Sequence, residues 1–497
     1  MRNIILLLLT IFQTTLFAQV MKTPLETNNF TKVSSYDELS DFVMKLDQSS
    51  DLLHVETIGK SVEGRNLYAM KFSDSGFGVE KSKIKVLIFA QQHGNEQSGK
   101  EGALMFAAAL LQPENRYLFQ EIDLVLVPQV NPDGSEINQR RNKNDADLNR
   151  NHLILTEPET KAIHQLFDKY LFEVTLDVHE YYPWDENWIK LGYRKNTDIT
   201  VGTTTNINIS PKIRKLSQEK VLPFMLKYLS DRQFSSFEYS PGGPPEINYI
   251  RHSTFDINDG RQSLGIQNTF SFIQEGMNGE DNLAGNIQNR ARGQMTGMFS
   301  LLTFVNQNKN KIKNIVSGER KKLGNGSNTP VAIQMEHVAN GEQLNLPVYA
   351  YKTGADSVIV VNDFRPVVKS ILDVDKPAGY LIPTQATELV KWAERHNLKL
   401  IPYQQSEKDK IQQYFISRID SIDFEGDITV NPEVKLKEHD GSFKEEDYYF
   451  ISTAGIKGYM IVTALEPKSE LGLVTYRQFA AFLKAGDNFP VLRLERE

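Results

Sequence analysis

Short apolar runs alternate with amphipathic segments along the first part of the chain. Apolar runs of four to eight residues between turn residues are typical of buried strands, and apolar positions at a spacing of three and four are typical of helices. Strands that alternate with helices in this way predict a largely parallel sheet. The predicted strands are residues 84–90, 123–130, 172–178 and 268–273, and the predicted helices are residues 35–46, 99–111, 158–169 and 288–304.

The pattern changes twice along the chain. Residues 190–262 are rich in Asn, Thr, Ser, Pro and Gly and show no clear period, so we expect an irregular segment that walls a cleft. Residues 324–330 form a Gly/Asn/Ser linker, beyond which β-branched and aromatic runs dominate. We therefore expect one unit over residues 25–323 and a β-rich accessory domain over residues 330–497.

The composition is that of a globular protein too long for a single ordinary core. The chain has 497 residues, of which 40% are apolar and 24% are charged, and its net charge is −7. Its basic residues form no stripe, which argues against a nucleic-acid partner. It has no cysteine, so disulfides, thiolate ligands and a cysteine nucleophile are excluded, and any metal site must use His and carboxylate.

The N-terminus has the features of a secretory signal peptide. Arg2 precedes an apolar run from Ile4 to Phe17, and Phe17-Ala18-Gln19 offers a cleavage point. The apolar run is short for a bilayer span of about 20 residues, so we favour cleavage after residue 18 over a membrane anchor. The mature chain is then expected to lack a membrane span and to be secreted or periplasmic.

Two of the predicted strands are followed by polar side chains with metal-ligand spacing. His93 and Glu96 come three positions apart after the strand at residues 84–90, and His179 follows the strand at residues 172–178. Ligand groups gather at strand ends in open α/β sheets. Two imidazoles and one carboxylate leave a fourth position for water, as in catalytic zinc sites, and they keep the site net positive. The sequence predicts one zinc ion per chain.

Over residues 30–304 the chain resembles the zinc metallocarboxypeptidases of the carboxypeptidase A/B type, including a secreted bacterial subset with a C-terminal accessory region. The resemblance implies an α/β/α sandwich around a mixed eight-stranded sheet. Its motifs, in family order, are Gly59-Lys60-Ser61 with Gly64-Arg65, His93-Gly94-Asn95-Glu96, Asn131-Pro132-Asp133-Gly134, Asp147-Leu148-Asn149-Arg150-Asn151, Asp177-Val178-His179 and a strand that ends at Glu275.

The same resemblance implies roles for residues outside the ligand set. Asp147 would orient His93, and Glu275 would be the general base that takes a proton from water. Arg140 would polarise the scissile carbonyl and stabilise the oxyanion. Arg141 competes for that role, but the spacing from Arg140 to Asn142 fits the family better.

Substrate recognition follows from the same comparison. Asn149 and Arg150 would bind the terminal carboxylate of a peptide with a free C-terminus, because a guanidinium binds a carboxylate with two hydrogen bonds. The family's substrate-capping tyrosine has no securely aligned position, and Tyr249 is the nearest candidate. Arg261 stands where the wall of the specificity pocket is expected, so it is a candidate to meet an acidic side chain or a second carboxylate.

The expected activity is hydrolysis of the C-terminal peptide bond of peptides. One alternative is an amidase or acylase of the aspartoacylase/succinylglutamate desuccinylase type, or an amidase acting on peptidoglycan peptides. The Asn-Pro-Asp-Gly turn and the complete Asp-Leu-Asn-Arg-Asn segment favour the peptidase. A second alternative is a non-catalytic zinc- or carbohydrate-binding protein, against which stands the filled set of catalytic positions.

Overall fold

The computed structural model describes residues 21–280, 283–324, 330–424, 427–440 and 444–496. The proposed signal peptide and the core of the 324–330 linker lie outside the described residues. None of the helices within the described ranges has the length and apolar character that a bilayer crossing requires.

The helices and strands are numbered in chain order. The helices are α1 (Pro24–Thr27), α2 (Tyr36–Ser49), α3 (Gln97–Leu110), α4 (Pro132–Glu136), α5 (Pro158–Tyr170), α6 (Glu186–Lys190), α7 (Pro211–Leu216), α8 (Leu222–Ser230), α9 (Gly260–Gly265), α10 (Ile287–Gly324), α11 (Thr387–Arg395) and α12 (Gly458–Leu465). A π-helical turn, Ser217–Val221, joins α7 to α8, and short 3-10 helices occupy Pro113–Gln120, Leu148–Arg150, Glu445–Asp447, Leu473–Thr475 and Arg477–Phe482.

The strands up to residue 277 are β1 (Leu53–Lys60), β2 (Asn66–Phe72), β3 (Ile84–Ala90), β4 (Ile122–Val127), β5 (Val174–Tyr181), β6 (Tyr193–Lys195), β7 (Ile199–Thr203), β8 (Ser236–Glu238), β9 (Ile250–Arg251) and β10 (Phe270–Met277). The later strands are β11 (Val331–Val338), β12 (Leu344–Ala350), β13 (Ala355–Val361), β14 (Phe364–Arg365), β15 (Val367–Val374), β16 (Gly379–Pro383), β17 (Ile401–Pro402), β18 (Asp409–Arg418), β19 (Ser421–Phe424), β20 (Asp427–Val430), β21 (Glu433–Glu438), β22 (Tyr448–Ser452) and β23 (Asn488–Arg496).

An eight-stranded mixed sheet forms the centre of the molecule, in the order β1-β2-β4-β3-β5-β10-β7-β8. The inner strands β4, β3, β5 and β10 run parallel, whereas β2 pairs antiparallel with β1 and β4, and β10 pairs antiparallel with β7. The mixed sheet predicted from the family resemblance is confirmed.

Helices cover both faces of this sheet because its inner strands are apolar on both sides. In β3, Val86 and Ile88 pack into a core with α2, α3, α8 and α10, whereas Leu87 and Phe89 pack against α5 on the opposite face. Alternate residues of a strand point to opposite faces, so a continuous apolar run gives two cores. The result is the expected α/β/α sandwich.

Residues 190–262 are more regular than their composition predicted. They contain β7, which pairs with β10 inside the main sheet, and a helical segment from Pro211 to Ser230. Strand β7 is only five residues long and includes two threonines and a glycine. Its position depends on long-range pairing with β10, which a local pattern does not register.

The C-terminal region is rich in antiparallel strands, as expected. Its largest sheet has six strands in the order β17-β22-β16-β23-β18-β21. It also adds β12 and β13 to β6, so that one three-stranded sheet joins residues from both parts of the chain. A single apolar cluster contains Val331 and Trp392 together with Leu153, so the core is continuous between the two regions. The domain boundary near residues 324–330 stays a prediction.

Helix α11 docks the C-terminal region onto a loop next to the predicted substrate-binding segment. Trp392 is fully buried, and its Nε1 donates a hydrogen bond to the Leu153 carbonyl at 2.9 Å. The same carbonyl accepts from His396 Nε2 at 2.7 Å, and the Ile154 carbonyl accepts from Arg395 Nε at 2.9 Å. The loop that follows Arg150 is therefore fixed by residues from the far end of the chain.

We predict that Trp392→Ala lowers the free energy of unfolding by about 3–5 kcal/mol, because it opens a cavity and leaves a buried carbonyl with one donor fewer. Urea denaturation followed by fluorescence and by circular dichroism measures this change. Lys391→Ala on the exposed side of the same helix is the control and should change stability by about 0.5 kcal/mol or less. An unchanged unfolding midpoint for Trp392→Ala would contradict this account of the interface.

Candidate functional site

A tight loop after β3 carries His93 and Glu96. Gln91, just past the end of the strand, has φ of +60°, a left-handed conformation that is uncommon for a residue other than glycine. A Cβ atom at Gly94 would collide with the backbone of Gly134 and Ser135. The loop thus turns back sharply, and Glu96 occupies the N-cap position of α3.

His179 lies on β5, and its ring meets the other two residues at the end of the sheet. His93 Nδ1 lies 2.7 Å from Glu96 Oε1, and His179 Nδ1 lies 2.9 Å from Glu96 Oε2. The two Nδ1 atoms are 3.2 Å apart. All three side chains are buried, and their ligand atoms lie within 4.8 Å of one another. The structure brings together the three residues that the sequence predicts as ligands.

This arrangement fits a zinc ion. Zinc–nitrogen bonds of about 2.0–2.1 Å in a tetrahedral site place two ligand nitrogens about 3.3 Å apart, close to the spacing of the two facing Nδ1 atoms. Burial opposes ionisation of the Glu96 carboxyl, but the two facing imidazoles outweigh burial and hold its pKa far below the usual range. Two nitrogen lone pairs and a carboxylate that converge in a buried site suit a cation.

The outer nitrogen of each imidazole lies against a carboxylate. His93 Nε2 lies 3.0 Å from Asp147 Oδ1, and His179 Nε2 lies 2.9 Å from Asp177 Oδ1. Such carboxylates fix the orientation of metal-binding histidines and increase their basicity. The family resemblance implied this role for Asp147 but none for Asp177. Its position two residues before His179 on one strand, and therefore on the same face, was the available signal.

A hydrogen-bond network links the ligand shell to the predicted carboxylate-binding segment. Gln92 Nε2 donates to Asp177 Oδ2 at 2.8 Å and to Asn149 Oδ1 at 3.2 Å. The Gly260 amide donates to Asn149 Oδ1 at 2.8 Å, and a Cβ at Gly260 would lie 2.6 Å from Asp177 Oδ2. These contacts fix the Asn149 amide with its oxygen turned toward Gln92 and Gly260. Sequence reasoning missed both Gln92 and Gly260.

The two arginines that compete for the carbonyl-polarising role point in different directions. Arg140 Nη1 lies 3.2 Å from His93 Nδ1 and 3.6 Å from Glu96 Oε1, while Nε donates to Asp147 Oδ2 at 3.1 Å. Arg141 instead donates from Nη1 to the Asp145 carbonyl at 2.7 Å. Arg140 is thus the arginine at the metal ligands, and its chemical role stays a prediction.

Arg150 and Arg261 lie at the side of the site formed by α9. Arg150 is exposed. Partial burial of its guanidinium acts to lower the pKa of this group, but the nearby carboxylates of Asp256 and Asp147 outweigh that effect and raise the pKa. Arg261 is 1% exposed, and its Nη2 donates to Asp259 Oδ2 at 3.0 Å. Within the described residues, its Nε and Nη1 atoms are buried without a hydrogen-bond partner. Only Arg150 is directly open to solvent.

The register of the sheet places Glu275 next to the ligand cluster. It pairs with His179 across the parallel β5–β10 ladder and with Thr200 across the antiparallel β10–β7 ladder. Paired residues in neighbouring strands point to the same face. Glu275 is half-buried, and burial raises the pKa of its carboxyl. A carboxylate with a raised pKa beside a metal site is suited to accept and return a proton.

Tyr249, the capping candidate suggested by the sequence, and Tyr239 have different surroundings. The ring of Tyr249 packs against the Arg365 guanidinium, 4.1 Å from the ring centroid, in the C-terminal region. Tyr239 follows β8 and is half-buried. Burial raises the pKa of its hydroxyl group, and the negative charge of the nearby Glu275 raises this pKa further. No motif marks Tyr239, because its place depends on the pairing of β8 with β7.

Two motifs that are far apart in the sequence are joined by hydrogen bonds next to the site. Asp133 Oδ1 in the Asn-Pro-Asp-Gly turn accepts from Ser61 Oγ at 2.7 Å and from Arg65 Nη1 at 2.6 Å. The Asp133 side chain is buried, so these charge-assisted hydrogen bonds act away from bulk solvent. They fix the turn that carries Gly134 against Gly94 and so support the loop of His93 and Glu96.

We predict that Asp177→Asn weakens zinc binding by about 10- to 100-fold, because the His179 imidazole loses its negatively charged partner. Competition with a chromophoric chelator measures the affinity directly, without any assay of activity. Asp145→Asn, at a carboxylate whose side chain is 89% exposed, is the matched control and should bind zinc like the parent chain. Equal affinities for all three proteins would contradict a role for Asp177.

Comparisons with known proteins show that the chain is similar to zinc carboxypeptidases. Residues 39–188 match the family model of zinc carboxypeptidases, peptidase family M14, a range that includes the three ligand residues, Arg140 and Arg150 but not Glu275. The chain is 24% identical to carboxypeptidase 2 of Trichophyton rubrum over 487 residues, which cover 92% of this chain and 86% of the relative. It is also 28% identical to human carboxypeptidase D over 238 residues, covering 42% of this chain and 17% of that protein.

Similar solved structures include a metallo-carboxypeptidase from Pseudomonas aeruginosa in complex with (2-guanidinoethylmercapto)succinic acid. It has a TM-score of 0.43 and 21% identity, and the match covers 56% of this chain and 70% of that chain. The match to carboxypeptidase 2 extends through the C-terminal region, whereas the family model ends at residue 188. The family model and these curated relatives thus identify a zinc carboxypeptidase domain of peptidase family M14 within the chain.

Proposed function

We propose that the protein is a zinc-dependent carboxypeptidase that hydrolyses the C-terminal peptide bond of peptides, with Glu275 as the general base. The observation that carries this proposal is the convergence of His93, Glu96 and His179 next to a half-buried carboxylate with a raised pKa. Arg150, a guanidinium open to solvent, lies on the α9 side of the same site. Together they match the needs of peptide hydrolysis at a free C-terminus.

His93 Nδ1, His179 Nδ1 and the Glu96 carboxylate would hold one zinc ion per chain. Zinc supplies Lewis-acid polarisation of the scissile carbonyl and makes water easier to deprotonate. Asp147 and Asp177 would keep both imidazoles turned with Nδ1 toward the ion. The short, fully buried contacts among these residues mean that the ligand positions require little rearrangement on binding.

Glu275 would move the protons of the reaction. Its carboxylate takes a proton from the attacking water and then delivers it to the nitrogen of the leaving amino acid. Because burial raises the pKa of this carboxyl, its carboxylate is a stronger proton acceptor than that of a solvent-exposed glutamate. Arg140 would donate hydrogen bonds to the carbonyl oxygen as negative charge develops on it.

Asn149, Arg150 and Arg261 would recognise the departing residue. The Asn149 oxygen is occupied by Gln92 and Gly260, which leaves its NH₂ group to donate to a substrate carboxylate. Arg150 adds a guanidinium that stays charged at all working pH values. The buried Nε and Nη1 of Arg261 are the remaining donors that an anionic group would satisfy.

We further propose that the protein acts outside the cytoplasm, secreted or in a periplasm, after removal of the N-terminal apolar segment. The support is the sequence pattern of residues 1–18. Its partners would then be peptides with a free C-terminus present in that compartment.

We predict that Glu275→Gln retains stoichiometric zinc and loses about 100- to 10,000-fold in turnover, because an amide cannot accept the proton of water. His179→Ala should lose both zinc and turnover. Metal analysis and the release of C-terminal residues from a peptide mixture, with and without a chelator, separate the two cases. A fully active Glu275→Gln protein would overturn the assignment of the base.

A second prediction concerns the free C-terminus. Peptide acids should be cleaved at least about 10- to 100-fold faster than the same peptides with a C-terminal amide, because charged hydrogen bonds to Arg150 are lost with the amide. Arg150→Leu should reduce this preference and mainly raise KM. Chromatographic rate measurements should include N-acetyl amino acids. Faster cleavage of those compounds than of peptides would instead support the acylase alternative.

A further inference from the structure

A small cavity lies beside the proposed catalytic carboxylate. Thr200, Phe237 and Tyr239 line it from the main sheet, and Leu346 and Pro347 line it from β12 of the C-terminal region. Its volume is about 40 Å³, which suits a few water molecules or the tip of a short side chain better than an aromatic ring. Both parts of the chain are needed to enclose it.

The cavity is placed by the same sheet register that places the catalytic residues. His179, Glu275, Thr200 and Phe237 are paired in sequence across β5, β10, β7 and β8. These four residues therefore form one row on one face of the sheet. The row begins at a metal ligand, passes the proposed base and ends at two residues that line the cavity.

Lys195 brings a positive charge into this cavity. Its Nζ donates hydrogen bonds to the Ser240 carbonyl at 2.9 Å and to the Gly242 carbonyl at 3.5 Å. An ammonium group has three donors, so one remains. Among the described residues, no carboxylate lies within 4.0 Å of Nζ. Glu238 also lines the cavity, but its Oε2 atom lies next to His252, 3.2 Å from Nδ1, and forms no ion pair with Lys195.

We propose that this cavity receives the tip of the side chain of the substrate's C-terminal residue and that Lys195 selects an acidic one, aspartate or glutamate. A partly buried cation with no ion-pair partner within 4.0 Å among the described residues is costly, and a substrate carboxylate would reduce that cost by accepting the third hydrogen bond. Lys195 is then the specificity-determining residue. This inference rests on the proposed carboxypeptidase function.

Arg261 supports the same selection from outside the cavity. Its guanidinium lies 5.5 Å from the centre of the Tyr239 ring, and its Nη2 is engaged by Asp259. It therefore adds positive potential behind Tyr239, while Lys195 makes the direct contact. Sequence position favoured Arg261 for that contact, and the lining of the cavity favours Lys195.

The test compares peptides that are identical except for a C-terminal Glu, Gln or Leu, with zinc-loaded full-length protein. Gln matches Glu in size, so the ratio of their kcat/KM values isolates the charge. We expect the parent protein to prefer Glu over Gln by about 10- to 100-fold, the range of a hydrogen bond to a charged group. Lys195→Met should abolish this preference while it still cleaves the Gln and Leu peptides.

Lys190→Met is the matched control, because Lys190 lies in the same segment with a side chain that is 70% exposed. It removes the same charge and should keep the preference for Glu. Equal rates on Glu and Gln for the parent protein, or a preference that survives Lys195→Met, would overturn the assignment of Lys195. Failure to cleave any of the three peptides would instead overturn the carboxypeptidase function itself.

The pH dependence of the same ratio gives a second readout. Burial lowers the pKa of Lys195 to about 8. The ammonium is charged below this pH, so the preference for Glu over Gln should be full well below pH 8 and fade above it. The ratio in Lys195→Met should not change with pH. The titration of other groups near Lys195 affects the cleavage of both peptides, so most of its effect cancels in the ratio of their kcat/KM values. These groups are Glu275, Arg251, Asp185, Glu238, Tyr181 and Tyr239.

Discussion

The register between β5, β10 and β7 determines where the chemistry of this protein can take place. It aligns His179, Glu275 and Thr200 on one face of the sheet. A slip of one residue would turn every side chain of the strand to the other face, and Glu275 would then point into the opposite layer. The continuous apolar packing of both faces opposes such a slip, because it would bury the carboxylate among aliphatic side chains. Packing far from the site thus controls the position of the proposed base.

At this end of the sheet, buried imidazole and carboxylate groups lie next to one another. Two imidazoles face each other at the centre, a carboxylate lies between them, and further carboxylates lie behind each ring. Isolated, each of these buried groups would be unfavourable. Together they form a cluster that suits a cation, as the proposed zinc site requires. Arg150, Arg261 and Lys195 add positive charge to the proposed substrate region, which lies beside the proposed metal site.

The ligands and the sheet were predictable from sequence, whereas their supporting residues mostly were not. His93, Glu96 and His179 are marked by spacing and by the strands that precede them. Tyr239 and Lys195 are not, since both lie in a segment whose composition suggested irregular structure, and only pairing with distant strands brings them to the cavity beside Glu275. Short strands whose stability depends on long-range partners leave little trace in a local pattern.

The three-stranded sheet of β6, β12 and β13 has a consequence for how the family can diversify. Val348 of the C-terminal region pairs with Lys195, and the two residues before Val348 form part of the cavity wall. A change in that distant strand therefore alters the pocket without touching a metal ligand or the base. If the cavity receives the substrate as proposed, replacement of the C-terminal region would change substrate preference. The C-terminal region thus forms part of the wall of the proposed selectivity pocket, although the cluster of His93, Glu96 and His179 and the proposed base all lie in the first part of the chain.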